Sequence, residues 1–152
     1  MVIFQKFEER RGLVNEFQWP VRVYYEDTDS GGVVYYANYL KFMERARSEW
    51  LRTLGVEQDE LIARNNVIFA VRSAELEFLK PGRFNDLLRV SAKVIRRGRA
   101  SLTFEQKITR ADQSESPLCI GSIKIACLNA ATLRPCPIPD YILEKIPCGD
   151  PQ

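Results

Sequence analysis

The chain has 152 residues, 45% hydrophobic and 28% charged, with a formal net charge of +2. That balance fits one domain with a sizeable core and excludes both a disordered chain and a broadly basic nucleic-acid surface. There is no histidine, which excludes Ser-His-Asp and Cys-His catalysis, and histidine-ligated metals, from a single chain.

Acid–base or nucleophilic chemistry near neutral pH therefore falls first to a carboxylate, with Lys, Tyr and Cys as weaker options. Cys119, Cys127, Cys136 and Cys148 form no C-x-x-C pair and read as buried or incidental thiols, so no metal site is expected. No apolar run approaches the ~20 residues of a membrane span. The N-terminus, MVIFQKFEERRGLVNEF, alternates apolar and charged residues and lacks the apolar core of a signal peptide. A cytoplasmic protein is the expectation.

In chain order, WPVRVYYE predicts a strand over Trp19 to Glu26, because it alternates and is rich in β-branched and aromatic residues. From Tyr35 the period changes. Tyr35, Tyr39, Phe42, Met43, Ala46, Trp50 and Leu54 recur at helical spacing, while Lys41, Arg45, Ser48 and Arg52 form a polar stripe. This predicts an amphipathic helix closed by Gly55. Glu44 and Glu49 precede Arg47 and Arg52 by three residues, a spacing that suits ion pairs. A short helical stretch follows in VEQDELIAR and stops at Asn65-Asn66. Strands are predicted over Val67–Phe78, Asp86–Arg96, Ala100–Arg110 and Pro117–Leu128. The breaks between them, at Pro81-Gly82, Arg97-Gly98 and Asp112-Gln113-Ser114, are short enough to favour antiparallel hairpins. DYILEKI predicts a last short helix. The sum is an α+β domain in which one long helix lies across a curved antiparallel sheet of about five strands. The core spans about residues 19–128, between an N-terminal extension (1–18) and a C-terminal segment (129–152). The sheet edges still need cover, which makes a dimer plausible.

The stretch DTDSGGVVYY, Asp27 to Tyr36, sits where the first strand hands over to the helix. Its plainest reading is structural: Asp caps the helix and Gly makes the turn. A chemical reading is also open. A first helical turn offers free N–H groups and a partial positive charge. Gly31 and Gly32 let a ligand atom come close to the backbone, and with Val33 they form a candidate substrate-binding turn. A carbonyl docked there is polarised as in an oxyanion hole, and a nearby carboxylate attacks it or activates water against it.

The segment VRVYYEDTDSGGVVYYANYLKFMERARSEWL, Val21 to Leu51, resembles the signature of hotdog-fold acyl-CoA thioesterases of the 4-hydroxybenzoyl-CoA thioesterase superfamily. Within it the chain is most similar to the bacterial Tol-Pal-associated (YbgC-type) branch, and FLKPGRFNDLLRVSAKV continues the likeness. The resemblance implies a hotdog domain that hydrolyses acyl-CoA, or an acyl-carrier-protein thioester, with coenzyme A as part of the substrate and no metal or redox cofactor. It implies active sites formed between subunits of a dimer or dimer of dimers. Asp29 matches the catalytic carboxylate, acting as nucleophile or general base, and Asp27 is left as a turn or supporting residue. Tyr36 matches the position whose backbone N–H polarises the thioester carbonyl, and Gly32 the glycine that opens the turn before it. The branch usually has His where this chain has Tyr36. The backbone role survives, since every non-proline residue carries an N–H.

Around Gly98, Lys93, Arg96, Arg97 and Arg99 form a basic cluster near which the family places nucleotide contacts. Phosphate recognition by Arg96, Arg97 and Arg99 is weighed against a merely solvated turn. No aromatic residues interleave with them, so single-stranded nucleic acid is not an expected partner. Ser73 shares strand parity with Glu75 and Glu77. Because this strand approaches the partner's site in dimeric hotdog enzymes, Ser73 is a further substrate-site candidate. Tyr24, Tyr35 and Tyr39 read as core or acyl-pocket lining. Two other classes remain in view. One is a non-catalytic acyl-thioester-binding or envelope-scaffold hotdog protein, against which the retained Asp29 argues. The other is a hotdog dehydratase, disfavoured because such enzymes generally use the histidine this chain lacks.

Overall fold

A computed structural model describes residues 16–147. Strand β1 (Phe17–Arg22) leads through an irregular loop into helix α1 (Asn38–Thr53), followed by the short helix α2 (Gln58–Asn65). Strands β2 (Val67–Phe78), β3 (Leu87–Arg97), β4 (Ser101–Arg110) and β5 (Gln113–Asn129) come next, and helix α3 (Asp140–Leu143) closes the described chain. The strands form one antiparallel sheet in the order β1-β3-β4-β5-β2, so β1 and β2 are its edges. The N-terminal stretch up to residue 15 and Cys148 lie outside the described residues.

Helix α1 forms because its apolar residues fall on one face. Tyr39, Phe42, Met43, Ala46, Trp50 and Leu51 are buried against the sheet. Three of them mark successive levels along the sheet. Tyr39 lies beside Phe78 near the end of β2, Met43 reaches Gly121 in β5, and Trp50 packs edge-on against Phe104 in β4. The helix ends as its sequence requires: Gly55 is left-handed, Val56 N–H donates to the Leu51 carbonyl and Gly55 N–H to that of Arg52. These paired bonds satisfy carbonyls a helix end leaves free.

The helix's polar residues divide in a way the spacing alone does not reveal. Glu49 pairs with Arg52, as expected, but Glu44 accepts the Ser48 hydroxyl instead of pairing with Arg47. Arg47 turns inward and is only 7% exposed. Its Nη1 donates to Gln106 Oε1 at 2.8 Å, and Gln106 Nε2 donates to the carbonyls of Met43 at 3.0 Å and Ser91 at 3.1 Å. Burial pushes the Arg47 guanidinium below its usual range, with Glu44 opposing that shift.

Several element boundaries move by one or two residues, the last helix stops at Leu143 instead of Ile146, and three further shifts have a visible cause. The strand expected to reach Glu26 stops at Arg22, since Asp27 Oδ2 accepts the Tyr24 N–H and winds Tyr25–Asp27 into a 3-10 turn. The regular helix begins at Asn38, after a tighter turn over Tyr35 to Ala37 in which Asn38 N–H donates to the Tyr35 carbonyl. Strand β5 starts at Gln113 instead of Pro117, because the chain reverses tightly at Ala111-Asp112 and the ladder runs on through polar residues.

Candidate active site

Residues Thr28 to Val34 form a tight reversal. Thr28 bridges Val34, Asp29 N–H donates to the Val33 carbonyl at 2.9 Å, and Gly32 N–H to the Asp29 carbonyl at 3.1 Å. Gly32 sits at φ +77°, with open space where a side chain would point. Its requirement is one of backbone conformation. The loop after β2 holds this reversal from behind: Val33 bridges Arg83, Val34 N–H donates to the Gly82 carbonyl, and Phe84 N–H reaches the Gly32 carbonyl.

The two acids of this stretch have different jobs. Asp27 is buried, and its side chain accepts the Tyr24 N–H at 2.8 Å. Its carbonyl receives the Tyr35 N–H at 3.0 Å and Asn38 Nδ2 at 2.8 Å, which fastens the loop to the start of α1. Asp29 is exposed. Its Oδ1 accepts the Gly31 N–H at 2.8 Å, and its other oxygen has no partner among the described residues. So Asp29 does cap its own turn, and it keeps one carboxylate oxygen free.

At the mouth of α1, Tyr35 N–H is consumed by Asp27, whereas the N–H groups of Tyr36 and Ala37 have no acceptor among the described residues. They are the free donors that a helix start presents, at its positive end. The Tyr36 ring is 61% exposed and lies edge-on to Phe78, with centroids 6.0 Å apart. Tyr39 is buried one turn on, its hydroxyl accepting the Gly82 N–H at 3.0 Å, and burial raises its pKa. A free carboxylate oxygen and two unused amide donors thus stand on the two limbs of one braced turn. Such a turn is equipped to polarise a carbonyl and to attack it or activate water against it. Asn38 and Gly82 are braces that sequence reasoning passed over. A polar residue opening an apolar helical stripe was the available signal for Asn38.

Comparison with known proteins settles the family. A sequence profile for the "Thioesterase superfamily" matches residues 31–116. The acyl-CoA thioesterase YbgC of Haemophilus influenzae is 40% identical over 130 residues, covering 86% of this chain and 93% of that protein. The chain belongs to the thioesterase superfamily. Among solved structures, a probable thioesterase from Bartonella henselae superposes with a TM-score of 0.76 at 35% identity, covering 82% of this chain and 99% of that one. A 1,4-dihydroxy-2-naphthoyl-CoA thioesterase from Synechocystis shares the fold, with a TM-score of 0.78 at 22% identity over 86% and 95% of the two chains. The long helix on a five-stranded antiparallel sheet is the hotdog fold. The profile match opens at Gly31, so Asp29 lies just ahead of it.

The other residues singled out from the sequence divide between this turn and more distant parts of this thioesterase-superfamily chain. Gly31 and Val33 flank Gly32 in the reversal itself. Ser73 adjoins Ala74, which with Val71 lines a groove of about 540 Å³ beside α1 residues Leu40, Glu44 and Arg47. Successive strand residues face opposite ways, so Ser73 points to the outer face of the sheet. Arg96, Arg97 and Arg99 stand at the β3–β4 turn, where Arg97 pairs with Leu102, whereas the Asp29 turn adjoins the opposite end, where Leu88 pairs with Arg110. Helix α1, with 16 residues, spans about 24 Å between those ends. One nitrogen of Arg97, Nη1, is engaged by the carbonyls of Leu143 at 2.8 Å and Ile146 at 3.1 Å. Arg96 and Arg99 side chains have no hydrogen bond or ion pair among the described residues. Within one chain the basic turn and Asp29 do not meet.

Proposed function

We propose that this protein is an acyl-CoA thioesterase, hydrolysing the thioester to a free acid and coenzyme A. The observation that carries this reading is the braced turn, with unused N–H groups at Tyr36 and Ala37 on one limb and a free Asp29 oxygen on the other. Membership of the thioesterase superfamily supports it. The substrate carbonyl accepts the Tyr36 N–H, which stabilises the charge that develops on oxygen. Two routes use the same parts. Asp29 attacks the carbonyl, expels the thiolate and leaves an anhydride that water opens; or Asp29 takes a proton from the water that attacks. Isolating an acyl–Asp29 adduct by rapid quench and mass spectrometry separates them.

The reading extends to a second copy of the chain. Among the described residues strand β2 pairs with β5 on one side only, and Val71 and Phe78 along it, with Leu79 just beyond its end, are exposed. Antiparallel pairing of two β2 edges brings the Asp29 end of one subunit toward the basic-turn end of the other. In that arrangement Arg96 and Arg99 meet the coenzyme phosphates of a substrate held by the other subunit's Asp29, with Arg97 and Ser73 as flanking residues. The reaction takes place in the cytoplasm, where acyl-CoA and acyl-carrier-protein thioesters are both at hand.

The test is release of free thiol from a panel of acyl-CoA and acyl-carrier-protein thioesters, followed with a thiol reagent. Expected is hydrolysis of at least one acyl-CoA far above an Asp29→Asn control. Equal thiol release by the two proteins across the panel sinks the proposal and favours a scaffold that binds thioesters without cleaving them.

A further inference from the structure

Beyond β5 the chain turns back on itself and then crosses the base of the domain, and the structure puts two thiols at the root of that crossing. Leu128 bridges Pro135, Asn129 N–H donates to the Arg134 carbonyl and Cys136 N–H to the Cys127 carbonyl. This register sets Cys127 and Cys136 directly opposite one another, with their sulfurs 3.8 Å apart. Opposed residues of an antiparallel pair have Cα atoms about 4.5–5.5 Å apart, within the span a disulfide bridges. Both thiols are free.

We propose that Cys127 and Cys136 form a reversible dithiol–disulfide pair that locks the C-terminal crossing onto the sheet. What it would lock is well defined. Ile138, Ile142 and Ile146 are buried in the core, Ile138 N–H donates to the Arg99 carbonyl, and Arg97 holds the carbonyls of Leu143 and Ile146. Crossing and basic turn are therefore one unit, and the thiol pair lies where that unit leaves β5.

The oxidant is a peroxide. Cys127 is buried, which pushes its thiol up to about 12, whereas Cys136 is half-buried, so Cys136 meets the oxidant first. Its sulfur takes one oxygen from the peroxide to become a sulfenic acid, releasing one water. The Cys127 sulfur then displaces that oxygen as a second water and closes the S–S bond. In sum, two thiols lose two hydrogens and one hydrogen peroxide becomes two waters. A dithiol reductant reverses the step.

The test uses the full-length protein, treated with hydrogen peroxide, alkylated in denaturant and digested with trypsin. Cleavage at Lys124 and Lys145 leaves both cysteines in one peptide, because the Arg134–Pro135 bond resists trypsin, and separates them from Cys119 and Cys148. Expected is a 125–145 peptide short of two hydrogens and free of alkylation, restored by dithiothreitol, with Tm raised by about 5 °C in the oxidised protein. The Cys136→Ser variant should lose that Tm rise. Recovery of Cys136 joined to Cys148, or as sulfinic acid beside an alkylated Cys127, overturns the proposal. So does a 125–145 peptide alkylated at both cysteines, or a Tm rise that persists in Cys136→Ser.

Discussion

Replacing the two acids of the DTD stretch one at a time separates chemistry from support. In Asp29→Asn the amide oxygen can still accept the Gly31 N–H that Asp29 Oδ1 takes at 2.8 Å, and the side chain stays in solvent. The fold should hardly notice, with a change within about 0.5 kcal/mol, as for most surface substitutions. The reaction, in contrast, loses its charged oxygen. A positioned general base contributes typically ~10²–10⁴-fold, which corresponds to about 2.7–5.4 kcal/mol of barrier. Asp27→Ala does the reverse. It strips the acceptor from the Tyr24 N–H in a buried setting and should cost about 1–3 kcal/mol. For a domain of this size that lowers Tm by roughly 3–10 °C. Thiol release measured at several substrate concentrations gives kcat/KM, and a thermal melt gives Tm for the same preparations. If Asp29→Asn keeps more than about a tenth of wild-type kcat/KM, the carboxylate is not the reacting group. If instead it melts as early as Asp27→Ala, its rate loss reports a broken turn.

Three further outcomes follow from the same geometry. Tyr39→Phe keeps the buried ring but leaves the Gly82 N–H without its acceptor; a destabilisation of about 1–3 kcal/mol is expected in urea unfolding, and an unchanged midpoint would show that this bond adds nothing. Gln106→Leu strands the buried Arg47 guanidinium and two carbonyls and should cost about 3–5 kcal/mol, much of it recovered when Arg47→Met is added. Simple additivity of the two losses contradicts the idea that an unpaired charge is the cause. The third outcome concerns alkaline pH. Burial raises the Cys119 thiol from 9.0 to about 12. Above the unfolded value the unfolded chain gives up this proton while the folded chain keeps it, so stability falls as pH rises. The contribution is complete below pH 9 and lost progressively toward pH 12. Cys119→Ala should flatten that alkaline decline in Tm, and an equally steep decline would assign it to other groups.

How much was legible in the sequence depended on whether the cause was local. The apolar stripe from Tyr39 to Leu51 and the left-handed Gly55 are local facts, and both the helix and its end follow from them. The Asp27–Tyr36 stretch could be read because its parts are contiguous. What escaped depended on contacts between distant segments. Gln106 looks like an ordinary polar residue in β4, and Arg47 like half of a helical ion pair. Only the packing of α1 on the sheet turns them toward each other. The early end of the first strand comes from one side chain, Asp27, capturing the Tyr24 N–H, and the three-residue delay of the helix start comes from the tight turn over Tyr35 to Ala37; no periodicity encodes either. Likewise the separation of Arg96, Arg97 and Arg99 from Asp29 is a property of the sheet's topology, invisible in a motif.

The site divides its labour by depth. Asp27, Asn38 and Tyr39, which hold the turn and the helix mouth in place, are buried. Asp29 and the Tyr36 ring, beside the groups assigned to chemistry, are exposed. That division makes geometry robust but leaves the electrostatics weak, since donors and charges facing water act at a fraction of the strength they have in a low dielectric. A catalytic oxyanion site therefore needs cover that the described residues do not provide. The proposed pairing along β2 would supply it, by bringing a second chain against the exposed Phe78 that lies beside Tyr36. On this argument, dissociating the oligomer should cost rate even where each folded chain retains Asp29 and its braces. Activity per chain that stays constant on dilution through the monomer–oligomer transition, followed by light scattering, would refute it.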